Sequence, residues 1–587
     1  MGATNRSFQG ELVFVKILPP PLPSEPISLS TGMHPVLQRI YLARGLKHDD
    51  DLKLELSKIV PVSRLKGVTQ AAELLFQTLQ QKKSILIVGD YDADGATSTA
   101  LAMLALGAFG ADKVSYLVPN RFEFGYGLTP ELVELAAVKN PGLLITVDNG
   151  ISSLSGVDRA NELGIPVLIT DHHLPAEQLP AATVIVNPNQ PGDPFSSKHL
   201  AGVGVIFYVM AALANRLRAA DWFINQHLKE PNPADWLDLV ALGTISDLVP
   251  LDHNNRVLVS QGLRRIRAGS CRPGIRALIE VAKRSLSNIV ASDIGFAVGP
   301  RLNAAGRLDD MGLGIDCLLT ESESTAKKMA QALDQLNQTR RSIEKEMKSQ
   351  AQSALEQLHL HTEGELPAGL CLYDKSWHQG VIGILASRIK EQYHRPVIAF
   401  ADGGEDVVKG SARSINGLHM RDLLAGIATR YPDMIIRFGG HAMAAGLSLS
   451  TAQFPQFKSA FEQAATELLE PAMLEGVVFT DGELMPNELN LTLAQALRDG
   501  GPWGQGCPEP LFEGTFYLRQ QRVVGENHLK LQLSSEESGW IIDAIAFNQP
   551  QLSEPNRQLR LTYRLDVNDF RGQRSPQLIV ETIQSTG

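Results

Sequence analysis

The segment Gly89-Asp90-Tyr91-Asp92-Ala93-Asp94-Gly95 follows the apolar run Ile85–Val88 and places three carboxylates within five residues. Like charges held that closely at a strand's end repel one another, and the arrangement is costly unless a cation or abundant solvent compensates it. One aspartate would suffice to cap the helix expected from about Ala96, so capping does not account for all three. The pattern recurs: Leu143–Val147 runs into Asp148-Asn149-Gly150, and Pro166–Ile169 into Thr170-Asp171-His172-His173. A further acid, Asp247, stands in the apolar segment Leu242–Leu248, a poor setting for a free surface charge. Oxygen ligands with one imidazole suit Mn²⁺ or Mg²⁺ better than zinc, whose structural sites favour thiolates. Several carboxylates about one point fit two ions, ~3.5–4 Å apart, which activate a water and stabilise both oxygens of an in-line phosphoryl displacement.

Within the histidine pair, His172 is the expected metal ligand, because adjacent side chains on one loop diverge. His173 is then placed to donate to a substrate phosphate or to the charge developing on it. Asp171 is expected to orient one of the imidazoles. A second signature lies downstream, in Gly410-Ser411-Ala412-Arg413-Ser414 and Gly439-Gly440-His441-Ala442-Met443-Ala444-Ala445-Gly446. Small residues let backbone N–H groups approach an anion, and Arg413 offers a two-pronged donor. With His378 and His441 nearby in the pattern, the expected ligand is a phosphate; an unadorned tight turn is the plainer reading. No GxxxxGK[ST] segment occurs, so ATP hydrolysis is not supported. The segment Gly299–Arg307 reads as a small-residue loop whose Arg301 and Arg307 suit a phosphate backbone, or simply a solvated turn. Of Phe122, Phe124 and Tyr126, only Tyr126, between Gly125 and Gly127, is expected to stack on a base.

These residues need elements to position them. Apolar strands at Ile85–Gly89, Val114–Val118, Leu143–Asp148, Val167–Asp171 and Val184–Val186 alternate with helical stretches, which implies βαβ units and a parallel sheet. Ligand sites form along the carboxyl ends of such strands, and three of them deliver Asp92, Asp94, Asp148 and His172 to one edge. From Ser324 to Leu358 apolar residues recur at spacings of three and four, as in a single helix ~50 Å long. A second α/β unit follows, with strands Leu370–Tyr373, Val397–Phe400 and Ile435–Phe438, and from about Val477 the pattern becomes all-β, as in an OB-type barrel. The expected division is a leader at 1–32, a catalytic domain at 33–320, a connecting helix at 321–362, a second α/β domain at 363–470 and a β domain at 471–587.

Composition excludes several classes. Of 587 residues 44% are hydrophobic and 20% charged, so the chain is not disordered at large. The longest apolar run, Ala201–Ala214, falls short of the ~20 residues of a membrane helix, and the Pro-rich start lacks a signal pattern. Four scattered cysteines exclude a disulfide framework and fit a cytosolic chain. The net charge of −10 decides little, since metal-binding carboxylates count towards it.

In this order the motifs resemble the DHH phosphoesterase superfamily, and within it the RecJ single-stranded-DNA exonuclease family. The likeness extends over Gly89–Gly95, Val147–Gly150, Asp171–His173, Leu242–Asp247, Asn303–Arg307, Gly440–Gly446 and Trp503–Pro510. It implies two α/β lobes, DHH and DHHA1, joined by a long helix around a central groove, with a C-terminal OB-like barrel. It implies a Mn²⁺- or Mg²⁺-dependent enzyme that removes 5′-mononucleotides from single-stranded DNA in repair and recombination, working as a monomer with a single-stranded-DNA-binding protein and a helicase. By the same resemblance Asp92, Asp94, Asp148, His172 and Asp247 fall on metal positions, with Asp148 and His173 in the catalytic set. Arg301, Asn303, Arg307, His378, Ser411, Arg413 and His441 fall on groove positions for the 5′ end, together with the Gly440 turn. One position departs: many superfamily members carry a metal-binding histidine where this chain has Val88, which leaves Asp90 or water to complete the first shell. The alternatives are a phosphodiesterase for short oligonucleotides or cyclic dinucleotides, for which the leader and β domain are superfluous, and a non-catalytic replication scaffold, which has no reason to gather repelling acids.

Overall fold

The computed structural model describes residues 5–8, 11–18, 29, 32–119, 127–361, 366–474, 476–525, 528–535, 540–549, 551–552, 558–570 and 572–585. Tyr126, with Phe122 and Phe124, lies outside them. The chain divides into two compact units, one comprising Pro23–Asn337 with Ala496–Glu509, the other Met1–Leu22, Gln338–Gln495 and Pro510–Gly587.

The first unit is built on a five-stranded parallel sheet in the order Val114–Leu117, Ile85–Val88, Leu143–Val147, Val167–Thr170, Val184–Val186. Successive strand residues point to opposite faces. Leu86 and Val88 pack with Leu132, Val133 and Val157 from the helices Pro130–Ala137 and Leu154–Glu162. Ile85 and Ile87 are equally buried, so the opposite face is covered too, and the strands are apolar throughout. Helix Ala93–Ala108 packs against Gly202–Ala219 and Leu237–Ser246. Gly202–Ala219 is long and apolar enough to cross a membrane by length and composition, yet 67% of it is buried inside the protein, as befits a core helix. The sheet starts at Ile85–Val88 and grows outward on both sides, so its switch point lies between that strand and Leu143–Val147, where a ligand crevice is expected.

The second unit holds a five-stranded sheet in the order Arg437–Gly440, Ala444–Ser450, Val407–Arg413, Val397–Asp402, Leu370–Tyr373. Only the last pair is parallel. Three strands are expected here from the sequence; Val407–Arg413 and Ala444–Ser450 are additional, their glycine, serine and alanine content masking a strict in–out alternation of burial. A closed five-stranded barrel, running Phe512–Val524, His528–Ser534, Ile541–Ala546, Gln573–Ser585, Gln558–Phe570, completes the unit and has the size of an OB-type domain. The residues expected to be a leader include strands Asn5–Phe8 and Glu11–Leu18, which form a sheet with Gly476–Phe479. The long helix runs from Glu323 to His361, and the boundary between the units falls within it.

Two sequence expectations need correction. Gly299–Arg307 is not a loop but the helix Gly299–Leu308, entered from a π-helical turn at Ile294–Val298. Pro300 sits in its first turn, where the missing N–H costs nothing, and Leu302, Ala304 and Ala305 favour helix. Ala496–Glu509 packs with the first unit rather than with the barrel: Leu251 N–H donates to the Gln505 carbonyl (2.7 Å), and the Tyr41 hydroxyl to that of Gly500 (2.8 Å).

The helices Ala93–Ala108 and Leu237–Ser246 meet at Gly243, where an added Cβ would stand 2.2 Å from Thr97 Oγ1 and 2.8 Å from Asp94 Oδ1. Gly243→Ala should therefore destabilise the unit by ~1–3 kcal/mol of overpacking; a denaturation midpoint equal to that of the parent chain would show that the two helices separate freely.

Candidate metal centre

Four segments converge at the carboxyl edge of the parallel sheet. Asp92 caps the helix Ala93–Ala108, its Oδ1 accepting from the N–H groups of Asp94 (2.9 Å) and Gly95 (3.0 Å). The helix thus begins three residues earlier than its sequence suggests, which carries Asp94 into its first turn. Asp94 is 1% exposed, and its two oxygens accept from Gly202 N–H (2.6 Å) and Val203 N–H (2.9 Å) at the start of helix Gly202–Ala219. Both helix N-termini therefore bear on the acids with the sign that favours them. Asp148 leaves the sheet at φ +63°, a conformation that aspartate tolerates better than most residues. Asp247 follows the last turn of Leu237–Ser246.

His172 binds the set together. Its Nε2 lies 3.1 Å from Asp148 Oδ1, 3.5 Å from Asp247 Oδ2 and 4.0 Å from Asp94 Oδ2. Ligand atoms of Asp94, His172 and Asp247 all lie within 4.8 Å of one another, as do those of Asp148, His172 and His173. The expectation that the two histidines diverge is overturned: their ring centroids are 4.4 Å apart. The cause is Asp171, whose Oδ1 accepts from His172 N–H (2.7 Å), His173 N–H (3.0 Å) and His173 Nδ1 (2.8 Å), curling the loop around one carboxylate.

The electrostatics follow from burial and crowding. Desolvation, then the Asp92 charge, push Asp94 up to about 7 against the pull of the Val203 and Gly202 amides. Burial and the neighbouring acids hold Asp148 and Asp247 well above the usual carboxylate range. The histidine loop behaves oppositely. Burial lowers His173, but the hydrogen bond and charge of Asp171 outweigh it and hold the imidazole at about 9. Burial raises Asp171, and the bond from His173, the charges of both histidines and the Ile151 N–H bring it down to about 2. Three crowded acids with an imidazole at their centre are the donor set a hard divalent cation requires, and such a cation would cancel the repulsion that burial magnifies.

Asp90 is buried, with Oδ1 accepting from Tyr91 N–H (2.7 Å). Val88 is wholly buried in the apolar layer beneath the sheet, so that position supplies packing and no ligand. The Arg301 guanidinium donates to Ala297 O and pairs with Asp334 at 2.8 Å. Asn303 reaches the acid loop itself, its Oδ1 accepting from Ala93 N–H (2.8 Å). Arg307 lies one turn further along the same helix, partly buried.

Residues unassigned from the sequence complete the support. Asn149 Nδ2 donates to the carbonyls of Val88 (3.2 Å) and Val147 (2.9 Å), fastening the two strands that flank the switch point. Asn187 and Asn189 donate to the carbonyls of His173 (2.9 Å) and His172 (2.7 Å). The legible signal was the Asn-Pro-Asn after Val184–Val186, which repeats the pattern of a strand running into polar residues.

The second unit carries the other predicted residues. Ser411 and Arg413 lie on strand Val407–Arg413, opposite Gly446 and Ala444. Arg413 Nε donates to Ser387 Oγ (3.1 Å) and Nη1 to Ser411 Oγ (3.2 Å) and the Ala412 carbonyl (2.8 Å), and burial lowers its pKa. Among the described residues no carboxylate pairs with it. His378 Nδ1 accepts from Gly380 N–H (3.0 Å), Gly440 turns at φ +144°, and His441 N–H closes the turn onto Ala444 O (2.8 Å).

Three family descriptions match this chain: the DHH family N-terminal domain over residues 84–244, the DHHA1 domain over 367–467 and the RecJ OB domain over 480–582. The chain is 52% identical over 562 residues to the single-stranded-DNA-specific exonuclease RecJ of Salmonella typhimurium, covering 95% of this chain and 97% of the relative. It belongs to the RecJ family. Crystal structures of RecJ from Thermus thermophilus superpose with TM-scores of 0.77 for the complex with Mn²⁺ and 0.72 for that with Mg²⁺. They are 31% and 30% identical, each spanning 94% of this chain, with 76% and 75% of the Thermus chain covered. The RecJ fold is thereby shared, barrel included.

Relieving the crowded charge should stabilise the protein while spoiling the centre. In the presence of chelator, Asp148→Asn, which suits a positive φ, should raise the thermal midpoint, while Mn²⁺ should no longer raise it further. A midpoint that falls would show that the acids do not strain the apo fold. Removing either partner of the Arg301–Asp334 pair should cost roughly 2–3 kcal/mol, discounted for partial exposure from the ~3–5 kcal/mol of a fully buried pair. If Arg301→Ala unfolds at the parental denaturant concentration, the pair is not structural.

Proposed function

We propose that this chain is a metal-dependent exonuclease specific for single-stranded DNA, acting from the 5′ end to release 5′-mononucleotides in repair and recombination. The observation that carries the reading is the meeting of Asp94, Asp148 and Asp247 around His172 Nε2 in a chain of the RecJ family. Asp92, Asp94, Asp148, His172 and Asp247, with Asp90 beside them, would hold two Mn²⁺ or Mg²⁺ ions. Such ions, when bound, supply an activated water and charge for the oxygens of the displacement. The chain's own groups do the rest. Asp171 keeps the His173 imidazole protonated, so it donates to a non-bridging phosphate oxygen as negative charge builds there. The Asn303 contact to Ala93 N–H and the Asn149 clamp hold the acid loop and the Asp148 turn in place.

In the second unit Arg413, Ser411, His378, the Gly440 turn and His441 form the site for the 5′-terminal phosphate. Arg413 is suited to it because desolvation has been incurred and, among the described residues, no acid competes for its fork. Tyr126 and Arg307 complete the strand's contacts. On this reading residues 33–320 hydrolyse, 363–470 hold the end, and 471–587 bind single-stranded DNA without sequence preference. Family resemblance supports the 5′ direction, a monomer, a cytoplasmic setting, and a single-stranded-DNA-binding protein and a helicase as partners.

Purified protein should digest 5′-phosphorylated single-stranded DNA, losing a 5′ label first, and should leave duplex DNA intact. Chelator should abolish the activity, and Mn²⁺ or Mg²⁺ restore it. Asp148→Ala should reduce turnover at least ~10³-fold with an unchanged circular dichroism spectrum; substantial activity at saturating metal would remove Asp148 from the ligand set. Arg413→Ala should raise KM for 5′-phosphorylated strands about tenfold and lower kcat less. A change confined to kcat would reassign it.

A further inference from the structure

We propose that Phe296 is the platform on which a nucleobase of the substrate strand stacks beside the carboxylate cluster; this rests on the exonuclease reading and adds a positioning residue to it. Phe296 is 76% exposed, more than any other described phenylalanine. It sits in the π-helical turn Ile294–Val298, whose Ile294, Ala297 and Val298 are buried, so the turn is anchored and the phenyl ring is directed outward. Single π turns recur at functional sites because the extra residue re-aims a side chain.

The helix that continues from this turn runs along the metal centre. At its start a Cβ on Gly299 would lie 2.4 Å from Ser246 Oγ, the residue before Asp247. Further on, Asn303 binds Ala93 N–H, and a Cβ on Gly306 would lie 1.7 Å from the Tyr91 carbonyl, the residue before Asp92. The helix therefore spans the cluster from its Asp247 side to its Asp92 side. Residues three and four apart share a helix face, so Phe296 heads a stripe that continues through Pro300 and Asn303 to Arg307.

The chemistry of that stripe selects the occupant. A large ring left in water gains nothing for the fold, and this one shares a face with a cation at the rim of a site for phosphodiesters. A nucleotide presents a flat, sparsely hydrated base next to an anion. Stacking is sequence-tolerant, because every base has a π face, as a nuclease without sequence preference requires.

The test compares full-length Phe296→Ala, Phe296→Trp and parent on a single-stranded oligonucleotide and on a strand of equal length with abasic residues, in Mn²⁺. Phe296→Ala should raise KM on the normal strand about tenfold with kcat within about twofold, leave the abasic strand unaffected, and be rescued by Phe296→Trp. A second reading needs no hydrolysis: in chelator, the fluorescence of Phe296→Trp should be quenched by the normal strand and not by the abasic one, after subtraction of the parent's own tryptophans. Equal effects on both strands, or no rise in KM, would overturn the stack, and so would quenching that does not depend on bases. If the parent protein itself digests no single-stranded DNA, the exonuclease reading fails, while the quenching comparison still decides the stack.

Discussion

The first unit is organised around a repulsion. Asp94, Asp148 and Asp247 lie near one another; Asp92 pushes Asp94 toward protonation, and Asp94 and Asp92 together push Asp148 and Asp247 the same way. A fold tolerates this when its own dipoles share the load, and here two helices begin at the acids, one capped by Asp92 and the other donating two amides to Asp94. What the dipoles leave uncancelled is a standing affinity for divalent cations. The parallel sheet explains why the acids meet at all: its strand ends lie side by side, and the switch point opens the crevice between two of them.

Beside this electron-rich cluster the histidine loop is arranged with opposite sign. Asp171 is spent inside the loop, which keeps one imidazole charged at the edge of a negative site. One three-residue sequence thus sets the His172 imidazole among the acids and holds the charged His173 imidazole beside them. Asp171 is brought down by an imidazole and an amide, whereas burial and the charges of Asp94, Asp92 and Asp247 raise Asp148.

Much of this was legible. Continuous apolar strands ending in aspartate announced both the sheet and the edge that carries the chemistry, because residue type at a strand's end is a local property. What stayed hidden depends on packing between distant segments. The pairing of Arg301 with Asp334, 33 positions later, has no local signature. The Gly299–Leu308 helix was hidden by its glycines, which suggest a loop but serve close approach to Ser246 and Tyr91. The strands at 407–413 and 444–450 were obscured because small residues supply the alternation of burial without an alternation of polarity. Asn149, Asn187 and Asn189 act through backbone carbonyls, so their partners are set by the fold even where, as in Asn187-Pro188-Asn189, the polar run after a strand is visible.

The strap Ala496–Glu509 bears on how the protein tolerates being shortened. Its Trp503 lies against the Tyr41 ring, 5.8 Å between centroids, and its Gln505 carbonyl takes the amide of Leu251, four residues beyond Asp247. The strap is covalently a prelude to the barrel but physically a part of the first unit's surface. Cutting the chain ahead of it, in order to delete the barrel, would strip bare the hydrophobic ground on which Tyr41 and Leu251 rest and loosen the segment that leads out of the metal centre. The natural point of division for this polypeptide therefore lies after Glu509, inside what its linear domain order would suggest is a single module.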